Sequence, residues 1–84
     1  MYKIIIKEYL KKLSLKDIND FSKKNNINLP IGEDKKIYNI IIKYWEDIYD
    51  GNTKEAFDIL KKEVSNDTYN AIINLYNEYK DKIK

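Results

Sequence analysis

The sequence predicts an all-α protein, a small bundle of four to five short helices with the third at its centre. Three observations lead there. Apolar residues recur at three- and four-residue spacings along most of the chain. Helix-capping residues stand just ahead of these runs. The single Pro and the two Gly all fall between the runs, so local and long-range signals agree. At 84 residues the chain suits one domain, residues 1–84. A domain of this size buries only about 60% of the surface its unfolded chain exposes, so its core must be thin.

The first helix is expected from Tyr2 to near Leu13. Tyr2, Ile6, Tyr9 and Leu13 form one stripe, widened by Ile5 and Leu10. The β-branched run Ile4-Ile5-Ile6 also fits the start of a strand, and the segment is read as helix on its spacing. Ser14 then reads as an N-cap, with Asp17 in the capping-box position. A second helix follows to about Lys24, with Leu15, Ile18 and Phe21 on one face. Asn25-Asn26 ends it. Ile27-Asn28-Leu29-Pro30-Ile31 is expected to be extended, because a residue before Pro is pushed out of the helical region.

The third helix is predicted over Glu33–Tyr49. Ile37, Ile40, Ile41, Tyr44, Trp45 and Ile48 give its apolar stripe; Tyr38, Ile42 and Tyr49 add a flank. A helix apolar over so much of its circumference is expected at the centre, covered from more than one side, with Trp45 in the core. Glu33 and Asp34 suit the positive end of its dipole. Gly51 is its expected left-handed C-cap. Thr53 is expected to cap a fourth helix that turns Ala56, Phe57, Leu60 and Val64 inward. Ser65 is expected to cap a fifth, from about Asn66 to Ile83, with Tyr69, Ile72, Ile73, Tyr76 and Ile83 on one face and Leu75 and Tyr79 beside them.

Composition narrows the chemistry. The chain has no Cys and no His, which removes thiolate chemistry, the commonest general base and the commonest zinc ligand. The spaced Asp/Asn/Gly loop of an EF-hand is absent. The acid pairs Glu33-Asp34 and Glu46-Asp47 do not converge, because adjacent helical residues point in different directions. They read as solvated surface. No catalytic, cofactor or metal residues are therefore expected, and the protein is read as a non-enzyme. No membrane-span pattern and no secretory h-region are visible, which gives a cytoplasmic expectation.

Every basic residue is Lys, and the net charge is only +2. Residues 1–24 hold seven Lys against three acids, but a solvated face explains this as well as a phosphate surface does. The Lys, Asn, Ile and Tyr usage looks like an AT-rich genome, which accounts for most of the eight tyrosines. A core this thin cannot hide them all. Tyr38, Tyr49 and Tyr79 are the candidates for a partner-binding surface.

Two resemblances follow from the residues. The Leu13-Ser14-Leu15-Lys16-Asp17-Ile18 helix start comes first, then Asn26-Ile27-Asn28-Leu29 before a long helix. A Gly/Asn turn, a Leu-Lys-Lys-Glu helix end and a Ser-capped final helix complete the order. This order resembles a family of short uncharacterised Firmicutes proteins, a domain of unknown function. That resemblance implies an organism class and no activity. Residues 13–45 also resemble the helix–extended loop–helix of SAP and LEM modules. The SAP version implies DNA contacts, with Lys35 and Lys36 on phosphates. Glu33 and Asp34 depart from that pattern, since they stand where a phosphate would meet the helix N-terminus. The LEM version implies a protein partner and suffers less from the departure.

The leading expectation is a non-enzymatic protein-interaction or adaptor module with a protein partner and no membrane. The alternatives are a weak nucleic-acid-binding module acting through Lys23, Lys24, Lys35 and Lys36, and a small phage or mobile-element inhibitor of a host nuclease. The sequence leaves the oligomeric state open.

Overall fold

The computed structural model describes residues 2–80. Five helices follow one another: α1 (Tyr2–Lys11), α2 (Leu15–Lys24), α3 (Glu33–Tyr49), α4 (Lys54–Glu63) and α5 (Asn66–Tyr79). There is no strand among the described residues, so the Ile4–Ile6 run is helical. Helix α1 ends short of Leu13: the amides of Lys12 and Leu13 fold back on the carbonyls of Tyr9 and Leu10, and Ser14 already begins the next helix. Ile83, expected to close the stripe of α5, lies outside the described residues.

Local chemistry sets most boundaries. The Ser14 hydroxyl accepts from the Asp17 amide at 3.2 Å, and the Asp17 carboxylate accepts from the Ser14 amide at 3.0 Å, a complete capping box. Helix α2 closes with Asn26 in the left-handed region, at φ 60°. The amides of Ile27 and Asn26 return to the carbonyls of Ser22 and Lys23, a Schellman motif. Helix α3 closes the same way, with Gly51 at φ 86° and the amides of Asn52 and Gly51 on the carbonyls of Asp47 and Ile48. Between α2 and α3 the Glu33 amide bonds the Pro30 carbonyl across Ile31 and Gly32. Gly32 sits at φ 92°, which suits the third position of a type II turn. Thr53 departs from expectation: its backbone is already helical and its side chain makes no capping bond.

Helix α3 is central, packing on α2 along one side and α4 along another. The core between them is Ile18, Ile37, Ile40, Tyr44, Ala56, Leu60 and Val64. Two expectations are corrected here. Trp45 is half-buried and lies outside this cluster. At about 100° per residue it sits about 80° round the helix from Ile37, at the edge of the stripe. The apolar stripe of α1 is also largely uncovered. No residue of α1 is buried, and Tyr2, Ile5 and Tyr9 keep 65%, 64% and 64% of their surface exposed.

Glu33 gives a third correction. It is not solvated surface but buried, at 8% exposure. Its Oε2 accepts from the Ser65 backbone amide at 2.7 Å, while the Ser65 hydroxyl accepts from the Thr68 amide. A carboxylate on α3 thus completes the cap of α5, the role Asp17 plays locally in α2. The positive ends of two helix dipoles meet at this carboxylate, which offsets part of the cost of burying it.

Candidate functional site

Among the described residues lies an apolar groove of about 490 Å³. Buried Ile18, Ile37, Ile40 and Leu60 form its floor. Tyr9, Leu10 and Leu13 wall it on the α1 side and Phe21 on the α2 side. Phe57 of α4 and Ile72, Leu75, Tyr76 and Tyr79 of α5 form the rest. The Phe57 and Tyr76 rings meet edge to face at 5.2 Å, 81° apart, a favoured aromatic geometry that stiffens this wall. Phe21 remains 53% exposed at the rim.

Only two lining residues, Asp17 and Ser22, are polar without an aromatic ring. Both are engaged in the backbone framework. The Asp17 carboxylate accepts from the Ser14 amide and hydroxyl. The Ser22 hydroxyl donates to the Ile18 carbonyl at 2.9 Å. Such a surface suits apolar side chains, since Asp17 and Ser22 already serve the helices that carry them.

Of the three tyrosines expected to meet a partner, the structure brings only Tyr79 to the groove, 41% exposed. Tyr38 is half-buried and packs against the core. Tyr49 is half-buried with the Lys3 ammonium 6.0 Å from its ring centre. Sequence reasoning placed Tyr9, Leu10 and Phe21 only on the apolar faces of their helices and did not single them out as groove residues. The available signal was the width of the α1 stripe on a chain too small to cover it.

Lys23, Lys24, Lys35 and Lys36 are all exposed. Lys35 borders a second hollow of about 420 Å³, with Asn19, Asp34 and residues 29–32; Lys23, Lys24 and Lys36 do not line it. The Asp34 carboxylate accepts from the Asn19 amide group at 2.9 Å and from the Lys35 backbone amide at 2.8 Å. These bonds, Asn19 first, hold its pKa below the ordinary carboxylate value. An anion therefore already occupies the N-terminus of α3, where a phosphate would otherwise find free amides.

The link holding α1 is light. Lys3 bridges to Asp50 at 3.0 Å and Glu46 at 3.6 Å, and the Asp50 hydrogen bond is the main reason its pKa is raised. Exposed pairs of this kind stabilise little. Ile6, Leu10 and Leu13 supply the remaining, half-buried contact side.

No group of three or more potential metal-ligating side chains clusters among the described residues, and none of their helices is long and apolar enough to cross a membrane. Nothing matches this chain among family models, curated proteins or solved structures.

Proposed function

We propose that this protein is a non-enzymatic interaction or adaptor module whose partner seats an apolar ridge or helix in the groove bounded by α1, α2, α4 and α5. The observation that carries the reading is the groove itself: large relative to the molecule, open, aromatic-rimmed, and lined mostly by apolar and aromatic side chains, with Asp17 and Ser22 engaged in the helix framework. Helix-in-groove recognition uses such surfaces, with anchors spaced at i, i+3, i+4 and i+7. A protein without Cys suits the reducing cytoplasm, where we place its action. Kinship with the short Firmicutes family remains part of this proposal, on the Ser14-led helix and the Ser65-capped last helix. The phosphate-binding alternative finds less support, because Asp34 stands in its way.

The test is capture from host extract by wild type and by Phe21→Ser. The captured protein is then purified and titrated by calorimetry. We expect direct binding with a negative heat-capacity change, the mark of apolar burial, and a loss of at least tenfold in affinity for the variant. Equal binding by Phe21→Ser, or capture only of nucleic acid in a salt-sensitive manner, would contradict the groove reading.

A further inference from the structure

We infer that α1 is a hinged flap, held open by Lys3, that can close its own apolar face over the groove; its regulatory consequence rests on the groove reading above. The argument begins with what faces the groove from each side. At about 100° per residue, Tyr9, Tyr2, Ile6 and Leu10 fall within an arc of about 100° on α1. Tyr9 and Leu10 of this arc line the groove, and Phe21, Phe57, Ile72, Leu75 and Tyr76 stand across it. Two apolar walls thus face each other without meeting. Tyr9 is still 64% exposed and Phe21 53%. Removing apolar surface from water is favourable, so the two walls stabilise each other once in contact.

Little holds α1 where it stands. None of its residues is buried, and the close helix packings join α2 to α3, α3 to α4 and α4 to α5 without it. Turn bonds from Lys12 and Leu13 end α1, while the Ser14 capping box fixes the start of α2. The short segment between these two fixed points is the hinge. The strut lies at the other end of the helix. Lys3 reaches Asp50 at 3.0 Å and Glu46 at 3.6 Å, and its ammonium lies 6.0 Å from the centre of the Tyr49 ring. All three partners stand at the C-terminal end of α3, and none lines the groove. The strut therefore ties α1 to α3 and holds it off α5.

Charge does not oppose closure. Lys7, Lys11 and Glu8 lie on the part of α1 outside the apolar arc, and Lys11 bonds Glu8 at 2.9 Å. Lys12 is exposed in the hinge. Asp17, the one charged residue of the groove lining, keeps its bonds to Ser14. Only the Lys3 strut must break, and exposed pairs of this kind hold weakly. The open form predominates while the strut is made. In the closed form Tyr2 and Tyr9 take the space that a partner's anchors need. A partner's apparent affinity then falls with the open fraction, which makes α1 a built-in competitor for the groove.

The chain has no Cys, so two can be introduced for spin labels. Lys7→Cys lies on the outer side of α1, and Glu78→Cys is exposed on α5. Double electron–electron resonance then reads their separation with no partner present. The labelled chain should show a main long distance and a minor short one. Adding Lys3→Ala should raise the short-to-long ratio about two- to fivefold, the scale of an exposed pair. Lys11→Ala, which loses only a partner on its own helix, should leave the ratio unchanged. Tyr9→Ser added to Lys3→Ala should lower it again, because the closing face is spoiled. A single distance that Lys3→Ala does not alter overturns the inference. So does a longer or broadened one, the sign of an α1 that swings away or melts, or a short one that grows with protein concentration. If the flap fails in this way while Phe21→Ser still loses a captured partner, the groove reading stands without it. If no partner is captured but the short distance rises as expected, the flap stands without the groove's partner.

Discussion

Helices α1 and α3 carry the same kind of apolar repeat and meet opposite fates. Helix α3 buries Ile37, Ile40 and Tyr44 between two neighbours. Helix α1 buries nothing and leaves Tyr2, Ile4, Ile5 and Tyr9 in water. Periodicity reports that a helix has an apolar face; it does not report what covers that face. With seven buried apolar residues among those described, one helix too many remains for the core to absorb. That surplus is the apolar face on which the proposed interaction rests.

The largest effect expected from this contrast is in the core. Leu60 is 3% exposed, so Leu60→Ala should cost about 2–5 kcal/mol. Ile5→Ala, measured by urea denaturation at a concentration where the chain is monomeric, should stay within about 0.5 kcal/mol. Comparable losses at the two sites would erase the distinction between the helices. Trp45→Ala should fall between them, because that ring is half-buried.

Next comes the carboxylate that joins α3 to α5. Removing Glu33 takes away the charged acceptor of the Ser65 amide, so Glu33→Ala should cost about 1.5–3 kcal/mol. Glu33→Gln keeps an acceptor and should cost less. If the two variants melt alike, the bond to Ser65 is not what holds this corner.

The helix starts were legible to unequal degrees, and the reason is distance along the chain. The box of Ser14 and Asp17 is local, so spacing revealed it. The cap of α5 needs Glu33 from 32 residues away, and no local rule points to it. Trp45 was misplaced because a stripe read from spacing has no sharp edge, and a residue at its border can turn to either side. The limits of α3 were fully readable, since a positive-φ glycine stands outside each end. Of the groove, Tyr79 was legible as an exposed aromatic. Its neighbours Tyr9 and Phe21 looked like core because exposure depends on which helix arrives opposite. Ser14→Ala should accordingly cost about 0.5–2 kcal/mol, and Thr53→Ala, with no bond to lose, a few tenths. Thermal melts of the two variants side by side would decide whether the capping bond accounts for that gap.

The smallest effect is electrostatic. Asp34 has a folded-state pKa below its ordinary value of 3.8, so its contribution is complete above that pH. It is lost as the pH falls through the lower folded-state value. Asp34→Asn should therefore flatten the acid limb of the stability profile below about pH 4 while leaving its slope near neutrality unchanged. An unaltered acid limb would show that the Asn19 and Lys35 bonds do not favour the ionised form.

Amide hydrogen exchange, followed helix by helix, tests the central contrast most directly. Regions with few buried contacts open at low free-energy cost, and core helices open only near the global limit. The amides of α1 should exchange far faster than those of α3. If α1 is as protected as α3, its face is already covered within one chain, and the account of an uncovered helix is wrong.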